Sequence, residues 1–312
     1  MCADHSAAIF YFLIQHIDNK FIDSCEQIVS YSYNDNLNNF KQLGLFKLLL
    51  PQSLGGRYGH LQDLLACQLA ISEHCVQTAD AFIKIASAPY LIKQFGPGVL
   101  QEVFGADNNA LVLIYQGNLE SARAEDTPAE YDWMVVQDND RLCLLDVNDK
   151  KFLPEHRTVT LRDLADAKTL SWYQLYNRVL TTSAIGGLRH VINLAMKSGD
   201  KTLHTVLGQG LSEADEMELV LHRNINHALL HIDNDEVIPM YDRVKYKVQS
   251  ANVWFKCVDL IKNIDLLADN KEVSNILNGV KSMNIGHLND VKSEFLGYIT
   301  FLKQQETQDF YL

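Results

Sequence analysis

The sequence lacks long apolar runs and paired cysteines. No run approaches the ~18 consecutive apolar residues of a membrane span, and the apolar stretch at residues 7–14 is too short for a signal peptide. The six cysteines are scattered without CxxC pairs or metal-ligand spacing. Buried, reduced thiols are therefore expected instead of a disulfide framework. These absences predict a soluble cytoplasmic protein with no membrane partner.

The chain is also poor in basic residues. It carries 27 Lys and Arg against 39 Asp and Glu, a formal net charge of −12, which argues against duplex nucleic acid as a partner. No GxGxxG or GKS phosphate loop is present, and no Ser-His-Asp or nucleophilic Cys arrangement follows from spacing. The 312 residues, of which 47% are hydrophobic, are enough for two or three packed units.

Residues 39–82 organise the rest of the chain. A helix is predicted to stop at Gly44, which suits a left-handed cap position. We call residues 44–59 (GLFKLLLPQSLGGRYG) the glycine loop, because Gly55, Gly56 and Gly59 give its backbone unusual freedom. Apolar residues at helical spacing then predict one long amphipathic helix over residues 61–83.

The remaining pattern is mostly helical, with one change of period. Short runs of strand-forming residues predict a small antiparallel sheet of about four strands, at residues 110–115, 133–136, 141–147 and 158–161. Further helices are predicted at residues 6–27, 34–43, 90–95, 99–104, 172–197, 207–230, 242–264 and 273–302. The last four would form an antiparallel four-helix bundle.

The order LGLF–LLLP–GG–G followed by a helix resembles the N-terminal helical domain of the acyl-CoA dehydrogenase superfamily. Residues 152–157 (FLPEHR) resemble the exit of its β-domain, and residues 242–247 (DRVKYK) resemble its type 2, flavin monooxygenase-like branch. The resemblance implies a mostly α fold with three parts. These are an N-terminal helical domain (1–106), a reduced small β-domain (107–165) and a C-terminal four-helix bundle (166–312).

The resemblance also implies FAD or FMN as cofactor, but the flavin-contacting positions depart from the family pattern. The two β-domain strands that cover the flavin are not found. A family Arg falls near His204, and two family Gln positions fall on Asp215 and Glu218. Carboxylates would repel a pyrophosphate, unless Lys197 and Lys201 compensate.

The catalytic positions depart as well. The family's C-terminal YEGT phrase with its Glu base is absent, and Glu294 is expected to be an exposed acid on an amphipathic helix. The Arg, Asp and His of the type 2 branch fall on Asn278, Gly279 and Lys281. The catalytic residues therefore stay unknown, with weak candidates at Tyr115, Gln116, Arg123 and His190.

Three histidines raise the question of a metal. His227 and His231 share a helical face at i, i+4, and His222 lies one turn and a residue before them. No HExxH glutamate lies between them and no third ligand is apparent from spacing. No metal site is predicted from the sequence.

Three hypotheses follow. The first is a flavin-dependent oxidoreductase acting on an acyl-CoA, a carrier-bound acyl thioester or a related small substrate. The second is a degenerate, flavin-free member that serves as a partner subunit or scaffold. The third is a cofactor-free enzyme that reuses the cleft between the helical domains. Each is compatible with a homo- or hetero-oligomer assembled through the C-terminal bundle.

Overall fold

A computed structural model describes most of the chain, and the statements below concern the residues it describes: 33–57, 59–95, 97–105, 110–115, 120, 122, 131–138, 141–147, 158–163, 167–197, 203–233, 236–268 and 271–282. The predicted helix at 6–27 lies outside them. The chain divides into two compact units, residues 1–173 and 174–312. The predicted three-domain boundaries near residues 106 and 165 stay predictions.

The first unit begins with helices around the glycine loop. They are α1 (Tyr33–Gln42), α2 (Leu61–Ser72), α3 (Val76–Ala86), α4 (Ala88–Phe95) and α5 (Pro97–Phe104). Phe40 of α1 and Phe82 of α3 are fully buried, with ring centroids 5.5 Å apart. A buried hydrogen bond from Asn36 Nδ2 to Thr78 Oγ1 (3.0 Å) ties the same two helices together.

The glycine loop is closed by backbone contacts. Gly44 and Gly55 adopt positive φ angles of 69° and 74°, which L-residues with a Cβ seldom adopt. The backbone N–H of Gly59 donates to the carbonyl of Leu48 at 2.8 Å. A Cβ added to Gly56 would lie 2.0 Å from the carbonyl oxygen of Leu50. Glycine at this position is therefore required by close packing of one backbone segment on another.

The prediction of a single helix over residues 61–83 was wrong, because the chain breaks between α2 and α3. The Ser72 hydroxyl donates to the carbonyl of Leu69 at 2.8 Å, and such side-chain bonds compete with the helical ladder. Cys75 is extended (φ −154°, ψ 106°) at the start of α3. The apolar spacing continues across the break because both helices face the same core.

A four-stranded sheet completes the first unit. Its strands follow the order β1 (Val112–Tyr115), β2 (Trp133–Asp138), β3 (Arg141–Asp146) and β4 (Thr158–Asp163). The sheet is not wholly antiparallel as predicted, because β1 pairs with β2 in parallel. Residues 116–132 connect β1 to β2. This connection is longer than a hairpin turn and long enough for the crossover that parallel strands require. One buried apolar cluster at the sheet consists of Ala122, Met134, Val136, Leu145 and Val147.

Long helices make up the second unit. They are α6 (Ala167–Lys197), which begins just before the unit boundary, α7 (His204–Asp233), α8 (Met240–Ala268) and α9 (Lys271–Ser282). Short connections, residues 234–239 and 269–270, join α7 to α8 and α8 to α9. Connections this short favour antiparallel neighbours, as predicted for the bundle. The predicted last helix continued to residue 302, and that part lies outside the described residues.

Candidate functional site

The four weak catalytic candidates fall in different parts of the chain. Tyr115 ends β1 and packs, half-buried, against the apolar core of the sheet in the first unit. His190 lies on α6 in the second unit, where its Nε2 is 3.9 Å from Glu272 Oε1 on α9. Gln116 and Arg123 lie outside the described residues, as does Glu294. Their catalytic roles stay predictions.

Asp215 and Glu218, two of the three residues at positions where the resemblance expects flavin contacts, meet in one cluster. Arg189 of α6 donates from Nη2 to Asp215 Oδ1 at 2.6 Å and to Glu218 Oε2 at 2.5 Å, both on α7. We call these three residues the Arg189 cluster. The Arg189 and Glu218 side chains are each 3% exposed, and Asp215 is 36% exposed. Asp215 and Glu218 converge on one guanidinium because a spacing of three places them on the same face of α7.

Two buried neighbours of the Arg189 cluster, His222 and Cys257, are uncharged at neutral pH. Burial, followed by the nearby Arg189 charge, lowers the pKa of His222 to about 4. The 3.7 Å contact between His222 Nε2 and Glu218 Oε1 therefore joins a neutral imidazole to a carboxylate at neutral pH. Cys257 lies fully buried near Met217, and burial raises the pKa of its thiol.

The charge balance of the Arg189 cluster is negative, with one guanidinium against two carboxylates. A diphosphate placed there would face a surplus of negative charge, and the one cation already contacts both acids. These residues therefore do not fit the diphosphate of FAD. His204 lies exposed at the start of α7, about 16 Å along the helix axis from Asp215, outside the cluster.

The sequence analysis did not single out Arg189, the cation that pairs with Asp215 and Glu218. The expected compensating bases were Lys197 and Lys201. Lys197 is the exposed last residue of α6, about 12 Å along the axis from Arg189, and Lys201 lies outside the described residues. A signal was available, since Arg189 lies on a helix between the apolar residues Leu188 and Val191. An arginine on a buried face needs a carboxylate partner.

A second polar site lies at the α7–α8 end of the bundle. A cavity of about 130 Å³ is lined there by Val220, Arg223, Asn224, His227, Asp242, Lys245, Tyr246 and Gln249. One ligand atom from each of His227, His231 and Asp242 lies within 4.8 Å of the others. Spacing within α7 could not reveal Asp242 as a neighbour of the two histidines, because it comes from the next helix.

These elements, helices around a glycine loop, a reduced sheet and a helical bundle, define the acyl-CoA dehydrogenase fold, and the chain has that fold. Solved structures with this fold are similar to nearly the whole chain, and not to the glycine loop alone. They include a hydroxylase, a butyryl-CoA dehydrogenase and an FAD-dependent dehydrogenase, and their similarity to this chain is one of fold.

Three structures illustrate the similarity. The 3-HSA hydroxylase from Rhodococcus sp. RHA1 is 11% identical, with 92% of this chain and 95% of that chain covered and a TM-score of 0.69. XiaF from Streptomyces sp., solved with FADH2 and glycerol, is 13% identical (96% and 97% covered, TM-score 0.66). Butyryl-CoA dehydrogenase from Megasphaera elsdenii is 10% identical (91% and 99% covered, TM-score 0.63).

Sequence comparison adds no closer relative. No protein-family model matches the chain, and no curated protein matches it. None of the helices in the described ranges has the length and apolar character required to cross a membrane. The similarity is therefore one of fold, and the function depends on the residues of this chain.

Proposed function

We propose that this chain is a flavin-free protein with the acyl-CoA dehydrogenase fold, which serves as an oligomeric subunit and assembles through its C-terminal bundle with a second copy of itself. The observation that carries the proposal is the Arg189 cluster. Its residues occupy two positions at which the family resemblance places flavin contacts, and its only cation is committed to internal ion pairs.

The cluster also resists rearrangement toward a flavin. Releasing Arg189 to bind a diphosphate would leave Glu218, which is 3% exposed, without its guanidinium partner. Breaking a buried ion pair in this way costs about 3–5 kcal/mol. Any flavin would have to offset that cost before gaining affinity.

Exposed apolar side chains on the bundle support self-assembly. Leu219 and Leu230 on α7 are 49% and 63% exposed, and their spacing of eleven residues puts them on the same helical face. Tyr241 and Phe255 on α8 are 41% and 40% exposed, also near one face. Apolar residues repeated along a helix face are typical of an interface, and closed homo-oligomers are the commonest assemblies.

One preparation tests both parts of the proposal. Tag-free chain is examined by its visible absorption spectrum, titrated with FAD and FMN, and sized by light scattering. The expected result is a colourless protein that binds neither flavin and elutes as a dimer or larger oligomer. Stoichiometric flavin would overturn the flavin-free assignment, and a monomer would overturn the assembly.

A matched pair of variants locates the interface. Leu230→Glu places a carboxylate on the apolar face of α7 and is expected to lower the measured mass to that of a monomer. Lys262→Glu places the same group at an exposed polar position of α8 and is expected to leave the mass unchanged. Equal masses for the two variants would move the interface away from α7.

A flavin-dependent oxidoreductase is the second candidate. It is favoured by the similarity to XiaF with FADH2 and to butyryl-CoA dehydrogenase over more than nine-tenths of this chain. Its substrate would be an acyl-CoA, a carrier-bound acyl thioester or a related small molecule. The flavin titration decides between the two candidates, since bound flavin reduced by an acyl-CoA would establish the second.

A further inference from the structure

We propose that the end of α7 and the start of α8 form a binding site for a divalent first-row transition-metal ion, ligated by His227, His231 and Asp242. One ligand atom from each side chain lies within 4.8 Å of the other two. In a tetrahedral zinc-type site, ligand atoms at about 2.0–2.1 Å from the ion are ~3.3 Å apart. The ligand atoms must therefore approach one another by up to about 1.5 Å, which small rotations of the side chains can supply.

The helical hairpin explains why these residues meet. His227 and His231 lie one turn apart on one face, in the last two turns of α7. The next helix, α8, begins at Met240, and Asp242 lies in its first turn. Two ligands come from one helix end and the third from the neighbouring helix start, so folding brings the set together.

Glu236 prepares His231 for an ion. His231 Nδ1 lies 2.9 Å from Glu236 Oε2, and an ionised carboxylate can only accept, so Nδ1 carries the proton. The lone pair is therefore on Nε2, where it can bind a metal. The backbone N–H of Glu236 donates to the His231 carbonyl at 2.7 Å, which fixes Glu236 in place. A carboxylate behind a ligating histidine is the usual support of metal sites.

Tyr246 holds His227 in a comparable way. Its hydroxyl is hydrogen-bonded to His227 Nδ1, and the tyrosine is 3% exposed. When the hydroxyl accepts from Nδ1–H, the lone pair of His227 is on Nε2. The His227 and His231 rings meet edge to face, with centroids 5.0 Å apart. Both rings are therefore oriented by partners outside the ligand set.

The adjoining cavity leaves room for further ligands. Its volume is about 130 Å³, enough for several water molecules. Among the side chains that the structure describes here, Arg223, Lys245 and Asp242 line the cavity, and Glu236 contacts His231. The two acids offset the two cations. Imidazole with carboxylate suits zinc, cobalt, nickel and iron(II) more than magnesium, and this defines the class of ion.

Cobalt(II) titration of the tag-free chain tests the site without any assay of activity. The expected result is one Co²⁺ per chain, seen as visible ligand-field bands. Zn²⁺ is expected to displace it, and Mg²⁺ is not. The absence of Co²⁺ binding by the unsubstituted chain, or displacement by Mg²⁺, would overturn the proposal. The outcome is independent of flavin binding, so this test and that of the proposed function fail separately.

Variants assign the ligands. His231→Ala and Asp242→Asn are each expected to abolish the bands, with far-UV circular dichroism confirming the fold. Glu236→Gln is expected to weaken affinity about tenfold without changing the stoichiometry. His204→Ala removes an exposed histidine at the other end of α7 and should bind Co²⁺ like the parent chain. Parental affinity in either ligand variant would overturn the assignment.

Discussion

The glycine loop of the first unit and the Arg189 cluster of the second unit are built on opposite principles. The loop is held by backbone geometry between residues close in sequence, such as Gly59 and Leu48. The Arg189 cluster is held by side-chain charge between residues 26 and 29 positions apart. The loop resembles the acyl-CoA dehydrogenase pattern, whereas Asp215 and Glu218 of the cluster depart from it.

The difference between the loop and the cluster distinguishes residues that maintain the fold from residues that could bind a ligand. In this chain the loop is constrained by backbone packing at Gly56, which does not depend on any ligand. Flavin binding depends on side-chain charge, which can change while the helices stay in place. The glycine loop therefore identifies the fold, and the Arg189 cluster bears on the activity.

The largest expected effect comes from breaking the loop. Gly56→Ala would place a Cβ 2.0 Å from the Leu50 carbonyl oxygen and 2.4 Å from its carbon, so the backbone itself must move. We expect a loss of more than about 5 kcal/mol in the free energy of unfolding, with a mechanism among the most severe for point mutations. Urea unfolding followed by circular dichroism measures it.

Gly98→Ala is the matched control for this prediction. Gly98 lies in α5, and an added Cβ meets nothing within 4 Å. Gly98 is the second residue of α5, where the preference of about 1 kcal/mol for alanine inside a helix applies only in part, so this variant should be as stable as the parent or slightly more stable. If Gly56→Ala changed the free energy of unfolding as little as Gly98→Ala does, the loop would not be closely packed.

Breaking the Arg189 cluster should cost somewhat less. Arg189→Met removes the guanidinium between Asp215 and Glu218 and keeps most of the apolar bulk. We expect a loss of about 4 kcal/mol, because Glu218 is left buried without its cation. Urea midpoints of the variant and the parent chain measure the difference.

The control for the Arg189 cluster is a pair in the same bundle whose cation is exposed. Lys256 Nζ lies 3.1 Å from Glu213 Oε2, and the lysine is 47% exposed. Lys256→Met should change stability by less than about 1 kcal/mol, as is usual for surface ion pairs. Small effects of both substitutions would show that Glu218 does not need Arg189, and would contradict the flavin-free proposal.

The sequence predicted most helices and strands, because these depend on local apolar spacing. It also predicted the glycine loop, whose signal is contained within sixteen residues. The break at Cys75 was not predicted, since the apolar spacing of α2 continues into α3. The parallel pairing of β1 with β2 was not predicted either, because the period of a strand does not indicate its direction.

The site could be predicted only in part. His204, Asp215 and Glu218 were located by resemblance, but the partner of the two acids was not. Arg189 meets them through the packing of α6 on α7, and Asp242 meets His227 and His231 through the α7–α8 hairpin. Such contacts depend on how helices are rotated against each other, which the pattern of a single helix does not encode.

The third prediction uses pH to test how well the Arg189 cluster is shielded from water. The folded pKa of His222 is about 4 against an ordinary 6.5, so between these values the unfolded chain binds a proton that the folded chain does not. The contribution of His222 is therefore complete above pH 6.5 and is lost as pH falls toward 4, by about 3 kcal/mol at most.

His222→Gln should remove that part of the pH dependence, because glutamine does not titrate. The free energy of unfolding, measured in urea between pH 7 and pH 4, is expected to fall less steeply in the variant than in the parent. His204→Gln changes an exposed histidine of the same helix and should keep the parental slope. Equal slopes in all three proteins would mean that water reaches His222, and the cluster would then be open enough to exchange Arg189 with a bound anion.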